Sequence, residues 1–246
     1  MDLSFISYPT LDNVKTALFI QPHPDDNEIG AGGTMAILNK RGVKVYGLTV
    51  SLGKGGSKLI NPDELAKIRK EEAQEAMDVL GCINLGNLGY YEIDHTTNLS
   101  LVKDLVKVIR KIKPDVIFSV DPDLKNEMHP MHILVGKAFK EAFMRSGQSY
   151  FPNTGEFHSN AFSPRIIGFY FTDDDNTIID ITNVYAIKRK AILKHKTQVD
   201  KNYIRILDQY FSLISNDTPY KYVERLKLLS SIHTHCFALP KTFKLK

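Results

Sequence analysis

The sequence has few cysteines, little excess charge of one sign and no long apolar run, and each shortage excludes a class of protein. Its 246 residues contain two cysteines, Cys82 and Cys236, which lie far apart and form no C-x-x-C pair. Neither a disulfide framework nor a thiolate metal site is therefore expected. The net charge of +4 is spread along the chain without a block of like charges, so we expect no nucleic-acid partner.

The chain also lacks the apolar segments that membrane insertion and export require. No apolar run reaches the roughly 18 residues of a membrane span, so no span is expected. The first residues, MDLSFISYPT, do not combine a basic segment with an apolar one, as a signal peptide does. These features predict a cytoplasmic protein. No linker or internal repeat divides the chain, so a single domain over residues 1–246 is predicted.

Short apolar runs alternate with helical patterns in the first half of the chain. Residues 17–20 and 43–50 predict two strands, and residues 30–40 predict the helix that joins them. Such a unit implies a right-handed crossover between parallel strands. The next predicted helix begins after Asn61 as its N-cap and ends at Gly81. This alternation favours an α/β fold, a Rossmann-like three-layer domain with a mainly parallel sheet.

The C-terminal part of the chain follows a different pattern. Residues 165–171 and 176–181 predict two strands, which the tight turn at residues 173–175 joins as a hairpin. Residues 184–215 and 222–233 predict helices. The complete prediction is therefore the Rossmann-like domain plus a C-terminal hairpin and helices.

Two histidine-containing loops follow predicted strands. His23-Pro-Asp-Asp comes after the strand at residues 17–20, and His129-Pro-Met-His comes after a strand predicted at residues 115–120. If both strands belong to one parallel sheet, both loops emerge at its carboxyl edge, where open α/β sheets place their sites. That arrangement would bring imidazoles and carboxylates together from distant parts of the sequence.

The side chains of the two loops fit metal-assisted hydrolysis. Two histidines and one carboxylate are a ligand set for a catalytic zinc ion, which keeps a fourth position for water. A second carboxylate beside the metal can accept the proton of that water. A remaining imidazole can serve as an acid toward the leaving group.

The same residues also allow a purely structural interpretation. Asp25 or Asp26 could cap the helix that follows the first loop. His129 and His132 could be surface residues at the start of another helix. Each loop taken alone leaves both interpretations open, since short motifs also occur by chance.

Four short motifs occur in order between residues 17 and 198. They are HPDDNE with the glycines that follow it, RKEE (residues 69–72), HPMH (residues 129–132) and HKTQ (residues 195–198). This series resembles that of the N-acetylglucosamine deacetylases of the LmbE/PIG-L type. The resemblance implies a hydrolase that removes the N-acetyl group of a small-molecule amino sugar of the N-acetylglucosamine type, releasing acetate and a free amine.

The resemblance also implies roles for individual residues. The family's zinc ligands correspond to His23, Asp26 and His132, and its general base corresponds to Asp25. The residue that stabilises the oxyanion and acts as general acid corresponds to His129. The donor set suits Zn²⁺ but also Fe²⁺ or Co²⁺. A homo-oligomer is a further expectation that rests on the family alone.

Arg69 corresponds to a substrate-contacting arginine of the family, although its spacing from Glu72 predicts an ion pair on one helix face. His195 could lie at the rim of the site or on a helix face.

Two other functions stay open. One is a non-catalytic Rossmann-like protein that binds a sugar or nucleotide, which the glycine-rich residues 51–57 favour. The other is metal-dependent hydrolysis of another bond, such as a phosphoester.

One position departs from the family pattern. The family usually has an aspartate before the last histidine of the HPxH motif, where this sequence has Met131. That aspartate would pair with an imidazole and hold it charged, so its replacement leaves the protonation state of His129 open. Asp121, Asp123 or Glu127 could take its place.

Overall fold

The structure, a computed structural model, describes residues 7–91, 98–153 and 155–235 of the chain. Its strands are β1 (Thr16–Gln21), β2 (Lys44–Ser51), β3 (Ile83–Tyr90), β4 (Val116–Val120), β5 (Ile166–Tyr170), β6 (Thr177–Asp180) and β7 (Val223–Ser230). Its α-helices are α1 (Asp26–Lys40), α2 (Pro62–Leu80), α3 (Asn98–Ile112), α4 (Pro130–Arg145), α5 (Tyr185–Ile192) and α6 (Lys201–Leu213). None of the described helices combines the length and apolar composition needed to cross a membrane.

The strands form one sheet in the order β3-β2-β1-β4-β5-β7-β6. The first five in this order run parallel to their neighbours, whereas β7 is antiparallel to both β5 and β6. β1 and β4 lie side by side at the centre, with Ala17 opposite Val116 and Phe19 opposite Phe118. The predicted α/β fold with a mainly parallel sheet is confirmed.

Helices cover both faces of the sheet and create two apolar cores. Consecutive side chains of a strand point to opposite faces, so Leu18 and Phe19 enter different cores. Leu18 belongs to the core that includes Leu105 of α3 and Phe139 of α4. Phe19 belongs to the core that includes residues of α1, α2, α5 and α6, among them Met35. The central strands are buried on both faces, as their continuous apolar runs predict.

The ends of α2 follow local chemistry that the sequence predicts. The Asn61 side chain accepts a hydrogen bond from the backbone N–H of Asp63 at 3.0 Å, and Pro62 occupies the first helical position. Gly81 ends the helix with φ of 69°, a conformation that favours glycine.

Helix α1 begins earlier than predicted. The sequence pattern predicts a helix from residue 30 to residue 40, but the helix already starts at Asp26. The glycines after the HPDD motif permit close packing inside the helix. A Cβ atom on Gly30 would lie 2.2 Å from Cδ2 of Tyr170, and one on Gly33 would lie 2.5 Å from Cγ2 of Ile181.

The predicted C-terminal hairpin is wrong in its pairing. Both strands exist, but β7 inserts between β5 and β6 and is antiparallel to each. The helix predicted over residues 222–233 is wrong for the same reason, since β7 occupies most of that segment. Charged residues hid the strand pattern. Glu224 is buried and accepts hydrogen bonds from Lys188 Nζ and Thr34 Oγ1, both at 2.6 Å.

The turn at residues 173–175 joins β5 to β6, but these two strands are not paired with each other, so the turn does not close a hairpin. Its carboxylates pair with cations: Asp173 with Lys125 at 3.7 Å, Asp174 with Lys227 at 3.0 Å and Asp175 with Arg225 at 3.1 Å. These ion pairs account for three acidic residues in a row without a bound metal.

Candidate metal and active site

The two histidine loops meet at the carboxyl edge of the sheet. His23 follows β1, whereas His129 and His132 lie at the start of α4, after β4. Because β1 and β4 are neighbouring parallel strands, their carboxyl ends lie side by side. The ring centroid of His23 is 4.6 Å from that of His129 and 5.3 Å from that of His132, and the latter two are 4.9 Å apart.

The predicted metal ligands converge on Asp26. Its Oδ2 lies 3.4 Å from His23 Nδ1, and its Oδ1 lies 3.4 Å from His132 Nε2. Ligand atoms at zinc-binding distance in a tetrahedral site stand roughly 3.3 Å apart, so these residues fit a divalent cation. The ring nitrogens of His23, His129 and His132 also lie within 4.8 Å of one another, which makes His129 an alternative donor in the same cluster.

The charges of the cluster favour a cation. Burial opposes the charged form of His132, but hydrogen bonds and charges from Asp26 and Glu127 outweigh it and raise its pKa to about 9. Burial likewise opposes ionisation of Asp26, yet His132 and His23 hold its pKa well below the usual range. Ionised carboxylates therefore surround the imidazoles, an arrangement that a divalent cation neutralises.

Hydrogen bonds with Gln21 at the end of β1 and within the motif itself hold the HPDD loop in place. Gln21 Oε1, at the end of β1, accepts the backbone N–H of Asn27 at 2.7 Å. Asp26 Oδ2 accepts the backbone N–H of His23 at 2.8 Å. Asp25 adopts φ of 137°, which is rare for a residue other than glycine. Strained backbone of this kind persists where the surroundings impose it, and it clusters at functional sites.

Asp25 has the properties of a general base. Burial and the negative charge of Asp26 raise its pKa to about 7, while the positive charge of Arg69 counteracts the rise. A carboxylate with a pKa near the working pH can accept a proton and release it again.

Arg69, on helix α2, connects the HPDD loop with the glycine-rich loop. Its Nη1 donates to Gly53 O at 3.1 Å, and its Nη2 donates to Pro24 O at 2.8 Å and to Asp25 Oδ2 at 3.3 Å. The side chain is buried, and its Nε–H has no acceptor among the described residues. Arg69 therefore fixes the position of Asp25, the candidate general base, relative to the glycine-rich loop.

Glu72 does not form the ion pair with Arg69 that helix spacing predicts, within the described part of the chain. Its carboxylate instead accepts the backbone N–H of Thr197 at 2.8 Å and the Thr197 hydroxyl at 2.6 Å. The second and fourth motifs of the sequence thus contact each other. Gln198, the next residue, donates to Gly56 O at 3.3 Å.

His195 lies neither at the rim of the site nor on an exposed helix face. It is fully buried beneath the HPDD loop, with Nε2 3.5 Å from Oε2 of Glu28, which is also fully buried. Burial opposes the charged imidazole, but Glu28 outweighs this effect and raises the pKa of His195. The pair lies on the core side of the site.

A cavity of about 350 Å³ opens at the cluster. It is lined by His23, Asp25, Gly55, Gly56, Arg69, His129 and Gln198. The glycine-rich loop, residues 51–57, therefore lies beside the site, where Gly55 and Gly56 form one wall of the cavity. Predicted base, acid and substrate-contacting residues share this one space.

The sequence profile described as "PIG-L: GlcNAc-PI de-N-acetylase" matches residues 18–143, more than half of the chain. The chain belongs to the PIG-L family. The matched region contains both histidine motifs and Arg69, so it includes every residue assigned above to metal, base or acid.

Similar proteins extend the likeness over almost the whole chain. The diacetylchitobiose deacetylase of Thermococcus kodakarensis is 29% identical over 243 residues, which cover 95% of this chain and 90% of that protein. A probable N-acetyl-α-D-glucosaminyl L-malate deacetylase 2 of Bacillus cereus is 25% identical and covers 74% of this chain and 83% of its own length. The structure of N,N′-diacetylchitobiose deacetylase from Pyrococcus horikoshii, complexed with its inhibitor MPG, matches with a TM-score of 0.83 and 30% identity over 92% of this chain and 87% of that one.

The family's HPxH position 131 faces the core in this member. Met131 is 4% exposed and packs in the apolar cluster beneath α4. Of the three carboxylates considered as substitutes, Asp121 accepts the Thr172 hydroxyl at 2.6 Å and Asp123 pairs with Lys140 at 2.6 Å. Glu127 is the one that reaches an imidazole, and that imidazole belongs to His132.

His129 has a different partner. It is the N-cap of α4, and its Nδ1 accepts the backbone N–H of Met131 at 3.3 Å. Burial and the neighbouring rings of His23 and His132 lower its pKa. Because a ring nitrogen that accepts a hydrogen bond carries no proton, this contact requires a neutral imidazole at His129.

Two residues that shape the site were not found from the sequence. Gln21 holds the HPDD loop through its side chain, and Tyr170 Oη donates to Asn27 Oδ1 at 2.9 Å from strand β5. A polar residue at the carboxyl end of a buried strand was a usable signal for Gln21. No local pattern marks Tyr170, because its contact depends on the order of the strands.

Proposed function

We propose that this protein is a metal-dependent deacetylase that hydrolyses the N-acetyl group of an N-acetylglucosamine-type substrate. The observation that carries the proposal is the convergence of His23, Asp26 and His132 at one edge of the cavity, with Asp25 beside them. Membership of the PIG-L family and the deacetylases among the similar proteins support the same reaction.

In this proposal His23, Asp26 and His132 hold a divalent cation. Zn²⁺ suits two imidazoles and a carboxylate, and Fe²⁺ or Co²⁺ accept the same donors. Lewis acidity, the chemistry that such a cation supplies when bound, polarises a carbonyl group and lowers the pKa of water. The cavity beside the cluster offers space for the acetamido group.

Asp25 accepts the proton of the attacking water. Its pKa of about 7 means that a substantial fraction is ionised near neutral pH. The hydrogen bond from Arg69 Nη2 to Asp25 Oδ2, at 3.3 Å, orients the carboxylate through one of its two oxygens. The amide carbon thus gains an oxygen while Asp25 holds the proton.

His129 stabilises the oxygen that becomes negative. Because its Nδ1 accepts the Met131 N–H, the neutral ring carries its proton on Nε2. That N–H donates to the oxyanion. Collapse then breaks the C–N bond as Asp25 passes the proton it took from water to the leaving nitrogen. The products are the free amine and acetic acid, which loses its proton to become acetate.

Arg69 is proposed to contact the substrate as well as Asp25. It lines the cavity beside Asp25, where a substrate would lie. Diacetylchitobiose is the first candidate substrate, because a relative named for that activity matches 95% of this chain. A cytoplasmic location and a homo-oligomer stay predictions.

The test is an acetate assay on a panel of N-acetylated amino sugars, with zinc added and with a chelator. The expected result is acetate release from at least one N-acetylglucosamine-containing sugar, lost with the chelator. A protein that binds stoichiometric metal but releases phosphate from phosphoesters instead would be a hydrolase of another bond. A protein without stoichiometric metal and without acetate release would support a binding protein.

A further inference from the structure

We infer that Glu127 is a positioning residue, which holds His132 in the orientation of a metal ligand and fixes the backbone of His129 in the same frame. The inference rests on the proposed metal site, but it concerns a residue outside the proposed ligand set and outside the motifs of the family.

The carboxylate of Glu127 contacts both ends of the HPMH segment. Its Oε2 lies 2.8 Å from His132 Nδ1, and its Oε1 accepts the backbone N–H of His129 at 2.7 Å. The side chains of Glu127 and His132 are 15% and 14% exposed, so water competes little for the contact between these two side chains. The carboxylate thus joins the loop before α4 to the first turn of that helix.

The contact also determines which ring nitrogen of His132 is available. An ionised carboxylate only accepts hydrogen bonds, so Nδ1 of His132 carries a proton. A metal ligand must be a neutral imidazole, and the lone pair of that neutral ring is then on Nε2, the atom that lies 3.4 Å from Asp26 Oδ1 in the proposed metal cluster. Carboxylate–histidine pairs of this kind orient the ring and strengthen a metal ligand.

The two neighbouring carboxylates of the loop, Asp121 and Asp123, have other partners than His132. Asp121 bonds to the Thr172 hydroxyl, and Asp123 forms an ion pair with Lys140. The side chain at position 131, inside the HPMH segment itself, is apolar and buried. Among the described residues of the loop after β4, the role therefore falls to Glu127.

The test compares Glu127→Gln and Glu127→Ala with the matched control Asp123→Asn. The control changes one charge in the same loop at an exposed ion pair, and glutamine keeps the size of Glu127. Metal-free full-length protein is titrated with zinc against a chelator of known affinity, and the cobalt-loaded protein is examined by visible absorption. Circular dichroism of the metal-free forms checks that each variant is folded.

We expect both Glu127 variants to bind zinc about 10–100-fold more weakly than the unchanged protein. Their cobalt spectra should shift because the ring of His132 is no longer oriented. Asp123→Asn should match the unchanged protein in both measurements. Turnover lost by Glu127→Gln should be partly regained at saturating metal, which a purely structural defect would not show.

Zinc affinity within twofold of the unchanged protein, with an unaltered cobalt spectrum, would overturn the inference and leave the proposed deacetylase intact. An equal loss in Asp123→Asn would overturn it too, since it would reflect the charge of the loop rather than this contact. If the unchanged protein binds no zinc but releases acetate, the inference fails together with the metal site. If it neither binds zinc nor releases acetate, the proposed function fails as well.

Discussion

The loop after β1 and the loop after β4 both present histidines to the same cluster, but the protein holds them in different ways. The first is fixed from the buried side, by Gln21 at the end of β1 and by Arg69 from α2. The second crosses the surface, where Met128 is 84% exposed, and Glu127 holds it by one carboxylate.

This difference separates two tasks. The rigid loop carries two proposed ligands and the base, whose relative positions must not vary during the reaction. The surface loop ends at His129, which lines the cavity, and the third ligand, His132, follows in the first turn of α4. Loops of that kind change readily between related proteins. In this chain the loop supplies the carboxylate of Glu127, and Met131 stands where the family usually has an aspartate. Variants of the two loops should therefore fail in different ways.

The largest effect is expected from His132→Ala. Removing one of three proposed ligands leaves too few donors to retain the cation, so zinc content and acetate release should both fall to background. Metal analysis and the acetate assay measure these outcomes. His158→Ala, a histidine outside the cluster, is the control, and retention of stoichiometric zinc by His132→Ala would contradict the ligand assignment.

Asp25→Asn should separate chemistry from metal binding. The amide cannot accept the proton of water, so turnover should fall roughly 10²–10⁴-fold, whereas zinc content should stay near that of the unchanged protein. Asp63→Asn, an exposed carboxylate paired with Lys54 near the glycine-rich loop, serves as control. Near-normal turnover in Asp25→Asn would show that another group is the base.

Arg69→Gln should change the pH profile as well as the rate. The positive charge of Arg69 lowers the pKa of Asp25, so its removal raises that pKa and keeps Asp25 protonated to higher pH. The acidic limb of kcat/KM should therefore move to higher pH. Loss of charged hydrogen bonds worth about 1.5–3 kcal/mol predicts a fall in kcat/KM of roughly 10–100-fold.

The control for this change is Lys70→Gln, which removes an exposed positive charge from the next position of α2. An acidic limb that stays in place in Arg69→Gln, or moves equally in Lys70→Gln, would exclude the contact between Arg69 and Asp25 as its cause.

The smallest effect is expected from Glu72→Gln. Its carboxylate holds Thr197, next to Gln198 in the cavity wall, and a weakened hydrogen bond is worth about 0.5–1.5 kcal/mol. We expect KM to rise roughly 2–10-fold with kcat nearly unchanged. Glu71→Gln, the exposed neighbour, should have no effect, and a fall in kcat without a change in KM would contradict this role.

Much of the fold was predictable where neighbouring residues decide it. The ends of α2 follow from Asn61, Pro62 and Gly81, because capping and left-handed backbone involve groups within a few residues. The parallel core follows from apolar runs that alternate with helices. The insertion of β7 between β5 and β6 was not predictable, because the buried Glu224 made the strand look like a helix face until its partner Lys188 was known.

By itself the sequence determined the chemical inventory: the HPDD and HPMH motifs, their place after two strands, and the likeness to the PIG-L family. Only the tertiary structure decided the partners. It placed Arg69 on Asp25 rather than Glu72, buried His195 against Glu28, and gave Glu127 rather than Asp121 or Asp123 to His132. The physical reason is that a side chain's charge and reach are local properties, whereas its partner depends on which strands lie side by side.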